Sequence, residues 1–223
     1  MRFNISLTDV NSEELIRKII NKYHFEDKDR ELLMAVLNEV QASSKAHAVY
    51  RINQWNTGVK AIDTSQAAVV AITLGDGVDE LQESYEAAGS LQEAYMVEAV
   101  SSELLLYLYG RFNSDYARFH RRYVKKYVFI GEDIPLTNMT EILGHLYEKG
   151  DVEQEIYANE YGVLIPSKSV VFYALLTDNP NQVCRGICMS CNRVDCENSE
   201  YTNREYENTA ILNYGIQRIL GGA

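Results

Sequence analysis

Two spacings of apolar residues alternate along the chain, and together they predict a mixture of helices and strands. Asn11 or Ser12, followed by two glutamates, is a typical helix start. The apolar stripe behind it has helical steps and consists of Leu15, Ile16, Ile19, Ile20 and Tyr23. A second helix is predicted over residues 29–43, with inward positions at Leu32, Leu33, Val36, Leu37 and Val40.

A continuous apolar run changes the pattern in the next third of the chain. Residues 67–74 are apolar and rich in β-branched side chains, and they stop at Gly75-Asp76-Gly77, which predicts a buried strand followed by a turn. Helices are then predicted over 78–88 and 91–112, separated by Gly89-Ser90. The second half of the later helix is apolar on nearly every side, so we expect it at the centre of the core.

The remaining pattern is again mixed. It predicts strands over 123–130, 163–165 and 169–176, and helices over 137–148 and 205–220. No repeat, low-complexity run or Pro/Gly-rich linker interrupts the chain. We therefore expect one domain of the α/β or α+β class over residues 1–223, with a metal-binding loop at 184–196.

Composition and charge exclude several classes of protein. A formal net charge of −11 argues against a partner that is a nucleic acid, because phosphate-backbone binding needs a basic surface. The most apolar long stretch, 94–109, contains Glu98 and Glu103, so no membrane span is predicted. The first residues lack the features of a signal peptide, and the expected location is therefore cytoplasmic.

The strongest candidate chemistry is a cluster of cysteines. Cys184, Cys188, Cys191 and Cys196 have the spacing C-x3-C-x2-C-x4-C, and disulfides are not expected in a reducing compartment. Four thiolates on one loop suit a tetrahedral zinc ion or an iron–sulfur cluster, and composition does not choose between them. An inert or redox-labile loop is the alternative.

Other candidate chemistry is weaker. The four histidines lie far apart, no nucleophile motif is present, and the many carboxylates form no distinctive pair. Sixteen tyrosines stand beside one tryptophan. Such a surplus suits either a surface that faces a cofactor or an interface with a partner protein, because tyrosine buries area and keeps a polar tip.

Several segments, in their order and spacing, resemble the activation domain of cobalamin-dependent methionine synthase, particularly its small stand-alone relatives. Residues 68–81 (AVVAITLGDGVDEL) and 98–103 (EAVSSE) are the first two. Residues 133–136 (DIPL) resemble the end of the family motif R-x-S-P-G-Y-G-D-x-P-L. Residues 156–170 (IYANEYGVLIPSKSV) resemble V-x-L-T-E-S-x-M-M-x-P-x-K-S-V, with 166–170 as the clearest match. The cysteine tail is similar to one found on some stand-alone members.

The resemblance implies a mostly antiparallel, C-shaped sheet flanked by helices, and binding of S-adenosylmethionine for reductive methylation of cobalamin held by a partner. That partner would be a corrinoid protein or corrinoid methyltransferase. Carried onto this chain, the cofactor-binding positions are Lys126, Gly131, Asp133 and Glu160. Lys126 replaces the family's arginine, and Ile130-Gly131 replaces its Gly-Tyr pair. Methyltransferase-related activity therefore depends on whether this pocket is intact.

Two other functions fit the same residues. A four-cysteine iron–sulfur cluster suits an electron-transfer protein that reductively activates a corrinoid. A zinc ion on the same cysteines suits a non-enzymatic binding module, in which the metal joins the C-terminal segment to the rest of the domain.

Overall fold

The computed structural model describes residues 1–53, 62–63 and 66–184. Five α-helices lie in these ranges: α1 (Ser12–Tyr23), α2 (Arg30–Ser43), α3 (Gly77–Ala87), α4 (Leu91–His120) and α5 (Met139–Tyr147). Seven strands lie there as well: β1 (Arg2–Asn4), β2 (His47–Ile52), β3 (Ala67–Thr73), β4 (Tyr123–Phe129), β5 (Tyr157–Ala158), β6 (Leu164–Ile165) and β7 (Ser169–Thr177). Short 3-10 turns occupy Asp27–Asp29, Leu136–Asn138 and Pro180–Gln182.

A five-stranded sheet organises these elements. Its strand order is β1-β2-β3-β7-β4, and every neighbouring pair is antiparallel. β5 and β6 form a separate two-stranded antiparallel ribbon. The predicted mixed α/β class, with a mostly antiparallel sheet flanked by helices, is confirmed. The predicted helix over 205–220 and most of the cysteine loop lie outside the described residues.

Two hydrophobic cores lie on opposite faces of the sheet. Helices α1, α2 and α4 cover one face, where α4 supplies Leu104, Leu108 and Phe112 to the core. Helix α5 covers the other face with Ile142 and Leu143. Every residue of β3 is buried because this strand lies between the two cores, which explains its unbroken apolar sequence.

Helix starts and stops agree with local signals except at the end of α4. The Asn11 side chain accepts a hydrogen bond from the Glu14 backbone N–H at 3.2 Å, so Asn11, one of the two predicted candidates, caps α1. The predicted end of α4 at residue 112 is wrong, since the helix continues to His120. Tyr116 is buried beyond the predicted end, and this packing carries the helix through the polar stretch 113–115.

The sheet edge formed by β4 is irregular. The register between β4 and β7 shifts between Val124 and Lys126, which indicates a β-bulge at the two lysines. Beside the bulge, the backbone N–H of Cys184 donates to the Val124 carbonyl at 2.8 Å. The strand is therefore partly covered on its outer side by the chain that follows β7.

No helix in the ranges 1–53, 62–63 and 66–184 is long and apolar enough to cross a membrane.

Candidate functional site

The chain just before β7 forms a polar junction, defined by Ser167, Lys168 and Ser169 with the side chains they contact. Ser167 contacts Asp79 in the first turns of α3: its backbone N–H donates to Oδ2 at 2.7 Å and its hydroxyl to Oδ1 at 2.6 Å. A serine hydroxyl and its own amide thereby hold both oxygens of one carboxylate. This pair fixes the start of α3 against the entry to β7.

Lys168 makes the second contact of the junction. Its side chain is almost fully buried, and Nζ donates to Oε1 of Glu98 on α4 at 2.5 Å. The Ser102 hydroxyl, one turn later on α4, donates to the same oxygen at 3.1 Å. A buried ammonium needs such a partner, because an unpaired charge in the interior is strongly unfavourable.

Ser169 completes the junction at the end of β3. Its hydroxyl lies 2.8 Å from Oγ1 of Thr73, and that oxygen also accepts from the Gly75 N–H at 2.9 Å. The Lys168 carbonyl accepts from the Leu74 N–H at 3.0 Å. Three of the segments that resemble the activation domain (68–81, 98–103 and 166–170) therefore meet at one hydrogen-bonded point.

Glu103 lies at the other end of the segment 98–103 and faces α1. Its carboxylate contacts Lys18 Nζ at 3.0 Å, Lys22 Nζ at 2.7 Å and the Tyr23 hydroxyl at 3.1 Å. Burial alone would raise the pKa of Glu103, but the two ammonium groups outweigh it and lower that pKa. Burial and the adjacent carboxylate raise the pKa of Tyr23. These groups are mutually satisfied, so they brace α1 against α4.

Gly131 and Asp133 lie in the exposed turn that follows β4. The Gly131 N–H donates to the Ile134 carbonyl at 2.7 Å, and the Asp133 N–H donates to the Phe129 carbonyl at 3.1 Å. Gly131 has φ of +99°, a conformation that side chains disfavour. Glycine at this position, where the family has its Gly-Tyr pair, is thus required by the turn itself.

Glu160 lies in the exposed turn that joins β5 to β6. Asn159 organises this turn, because its Oδ1 accepts from the N–H groups of Tyr161 and Val163, both at 3.0 Å. Gly162, with φ of +80°, completes it against Leu136: a Cβ at Gly162 would lie 2.7 Å from Leu136 Cγ.

Both turns contact Leu136. A Cβ at Gly131 would lie 3.8 Å from Leu136 Cδ1, so the turn after β4 also contacts this side chain. The structure thus brings Gly131, Asp133 and Glu160 to one region of the surface.

An exposed apolar surface accompanies these turns, and we call it the apolar ribbon: Tyr157, Tyr161, Val163 and Ile165. These side chains are between 51% and 73% exposed, while Ala158 and Leu164 pack inward against the core under α5. Tyr157 and Ile165 are cross-strand neighbours in the ribbon. Clustered exposed apolar groups of this kind are typical of an interaction surface.

Lys126 is separate from this region. It lies exposed at the bulge of β4, five residues before Gly131. The strand continues from Lys126 to Phe129 at about 3.3 Å per residue, so roughly 10 Å of extended chain separates Lys126 from the start of the turn that contains Gly131. The predicted cofactor-binding set is therefore brought together only in part.

Cys184 is the only predicted metal ligand within the described residues. It is buried in the core beside α4, where the Asn113 side chain donates to its carbonyl at 3.4 Å. Cys188, Cys191 and Cys196 lie outside these ranges. Up to Cys184, the described part of the chain contains no group of three or more His, Cys, Asp or Glu side chains placed to hold a metal.

Sequence reasoning missed the partners of the junction and the position of Leu136. Lys168 and Glu98 are seventy residues apart in the chain, so no local spacing connects them. The resemblance to the activation domain identified the segments that contain Lys168 and Glu98. It did not predict that these two side chains contact each other.

The sequence matches no model of a known protein family, and it matches no curated protein.

Proposed function

We propose that this chain is a stand-alone activation-domain-like protein that acts on a corrinoid methyltransferase system and binds S-adenosylmethionine for reductive methylation of cobalamin. The observation that supports the proposal is that the turn with Gly131 and Asp133 and the turn with Glu160 and Gly162 both contact Leu136, and the second turn belongs to the apolar ribbon. This surface combines carboxylates with exposed tyrosines. It suits a cationic, partly aromatic ligand and a protein partner.

The charges of the ligand agree with those of the site. S-adenosylmethionine carries a sulfonium, an ammonium and a carboxylate group, so its net charge is positive, and in the proposal the exposed carboxylates of Asp133 and Glu160 attract its two cationic groups. Cobalamin on the partner would supply the cobalt(I) nucleophile once a separate one-electron donor had reduced its cobalt(II). The sulfonium–methyl bond would then break as the cobalt–methyl bond forms, with S-adenosylhomocysteine as the leaving group. The task of this chain is then to hold the ligand in position and to exclude water.

The ribbon is the surface proposed to dock on the corrinoid protein. Tyr161 lies at its tip and Val163 and Ile165 follow it, so an approaching protein would bury them together. Lys126 is too distant to share a contact with Gly131. In the proposal it binds the partner or the far end of the ligand.

Calorimetric titration with S-adenosylmethionine tests the binding step. The wild-type chain should bind, and Asp133→Asn or Glu160→Gln should weaken binding about 10- to 150-fold, since a hydrogen bond to a charged group contributes about 1.5–3 kcal/mol. Glu83→Gln removes an exposed charge on α3 and should change nothing. Absence of heat at millimolar ligand would refute the methyl-transfer function.

The docking step needs a separate measurement. Val163→Ser with Ile165→Ser should leave the affinity for S-adenosylmethionine unchanged and lower the rate of methyl transfer to a purified corrinoid protein. Leu91→Ser, at another exposed apolar position, is the matched control. Equal rates in all three proteins would exclude the ribbon as the docking surface.

The proposed metal loop (Cys184, Cys188, Cys191 and Cys196) begins at a residue whose backbone is held by two hydrogen bonds. The Cys184 N–H donates to the Val124 carbonyl, and the Asn113 side chain donates to the Cys184 carbonyl. Metal analysis of anaerobically purified protein separates the two metal-based functions. Four irons with visible absorbance favour electron transfer, and one zinc in a colourless protein favours the binding module.

A further inference from the structure

A buried histidine contacts a carboxylate where β2 begins. His47 is 1% exposed, and its Nε2 lies 3.2 Å from Oε2 of Glu155 in the segment between α5 and β5. Its other ring nitrogen, Nδ1, lies 2.9 Å from the backbone carbonyl of Lys45. Both ring nitrogens therefore face oxygen atoms.

The carbonyl decides which nitrogen carries the proton of the neutral ring. A carbonyl oxygen only accepts hydrogen bonds, so Nδ1 must carry hydrogen and donate to Lys45. In the neutral imidazole, Nε2 carries a lone pair, and it lies beside Oε2 of Glu155 without a hydrogen bond to it. A lone pair and a carboxylate oxygen at 3.2 Å repel each other, whereas a protonated ring is attracted to the carboxylate as an ion pair.

Neighbouring groups raise and lower the pKa values of His47 and Glu155. Arg2 on β1 donates to the other oxygen of Glu155 at 2.7 Å, and it favours the ionised carboxylate. Burial lowers the pKa of His47, as does Arg2, while the Lys45 carbonyl and Glu155 raise it; the net direction is downward.

Two further titratable groups lie near Glu155. Asp76 at the start of α3 raises the pKa of Glu155, although Arg2 keeps that pKa below its usual value. Tyr147 of α5 has its pKa raised to about 12, first by its own burial and then by Glu155, and it stays protonated under ordinary conditions. The ring of His47 is thus the group of this cluster that changes charge nearest neutral pH.

We infer that His47 and Glu155 form a proton-operated clasp between β2 and the segment that leads into the apolar ribbon. With a proton on Nε2, the charged ring forms an ion pair with Glu155 and holds that segment against the sheet. Without it, the two groups repel each other, and among the described residues Arg2 remains as the charged partner of Glu155. Acidification therefore tightens the attachment of residues 151–156, and a rise in pH loosens it.

The clasp can affect the apolar ribbon because Glu155 lies two residues before Tyr157 in the chain. Glu155 is followed by Ile156, which is buried in the core under α5, and then by Tyr157, the first residue of the ribbon. A change at Glu155 is therefore transmitted to the ribbon within two residues. The proton acts on the presentation of this surface, whatever partner binds there.

Imidazole nitrogen NMR on the 15N-labelled full chain tests the inference. At high pH, His47 should show the tautomer with hydrogen on Nδ1. Glu155→Gln should lower the pKa of His47 by about one pH unit, because it removes an opposite charge at close range. Glu153→Gln removes an exposed charge two residues earlier and should leave it unchanged. The opposite tautomer, or equal pKa values in wild type and Glu155→Gln, would overturn the clasp.

Amide hydrogen exchange supplies a second measurement. After correction for intrinsic rates, the amides of residues 152–158 should be better protected at pH 5 than at pH 7.5 in the wild type and in Glu153→Gln. Glu155→Gln should lose this difference. If the difference persists in Glu155→Gln with native circular dichroism, protonation acts elsewhere and the inference fails.

Discussion

Replacement of Glu103 by glutamine probes the best-enclosed charge in the described residues. The side chain of Glu103 is 1% exposed, and those of Lys18 and Lys22 are 23% and 16% exposed. Glutamine keeps the shape and one acceptor oxygen. It removes the negative charge, however, and places an N–H₂ donor among the ammonium groups and the Tyr23 hydroxyl. The ionic bracing of α1 against α4 is thereby lost.

The expected loss follows from these exposures. Breaking a fully buried ion pair from one side lowers the free energy of unfolding by about 3–5 kcal/mol. Lys18 and Lys22 are partly exposed, so each can turn its ammonium group toward water, and the loss is correspondingly smaller. We expect Glu103→Gln to lower the free energy of unfolding by about 2–3 kcal/mol at pH 7.

The pH dependence has a definite sign. The pKa of Glu103 is lowered in the fold, so its stabilisation is present above the ordinary carboxyl pKa and is lost as the pH falls through the folded value. The difference between wild type and Glu103→Gln should therefore be full at pH 7 and shrink toward pH 3. This trend distinguishes an electrostatic role from a packing role, which would persist at acidic pH.

Urea unfolding followed by circular dichroism measures both effects, with Glu83→Gln as an exposed control. Replacing Lys18, Lys22 and Glu103 together by methionine should recover most of the loss, because no unpaired charge is left in the interior. A Glu103→Gln protein within about 0.5 kcal/mol of wild type at pH 7 would refute the assignment, since that is the range of ordinary surface substitutions.

Two further substitutions test the turn around Leu136 and the polar junction. Gly162→Ala places Cβ 2.7 Å from Leu136 Cγ at a φ of +80°, and it should lower the free energy of unfolding in urea by about 1–3 kcal/mol. Gly150→Ala, with φ of +62° and open space, isolates the backbone effect, so equal losses would contradict the close contact. Ser167→Ala removes the 2.6 Å hydrogen bond to Asp79 and should lower the free energy of unfolding by about 1 kcal/mol. In a double-mutant cycle with Asp79→Ala the two losses should not add, and additivity would exclude the pairing.

Helices and strands with a clear periodicity of apolar residues were predictable from the sequence. Strands that depend on pairing with a distant strand were not. The stripe of α1 and the apolar run of β3 contain their own periodicity, so sequence alone places them. β1 and β2 were missed because their strand character comes from tertiary pairing. In β2, Ala48 and Tyr50 face one core and Val49 faces the other, so the expected polar alternation is absent.

The sequence identified the segments that form the candidate site, but it did not identify the side-chain contacts within it. The resemblance marked the turn after β4 and the turn that carries Glu160, and both contact Leu136. The resemblance did not predict that Lys168 forms an ion pair with Glu98. That contact depends on how β7 enters the sheet beside α4. Lys126 was grouped with Gly131 by motif order, whereas the extended strand between them separates the two positions.

The bulged edge strand β4 has a consequence for self-association. A regular edge strand offers a row of free N–H and C=O groups, on which another chain can add a strand. Here the bulge breaks that row, Lys125 and Lys126 are exposed at it, and the Val124 carbonyl is already taken by the N–H of Cys184. The opposite edge, β1, is only three residues long. An incoming strand therefore finds few groups in register at either edge, and the sheet resists the edge-to-edge growth that leads to aggregation.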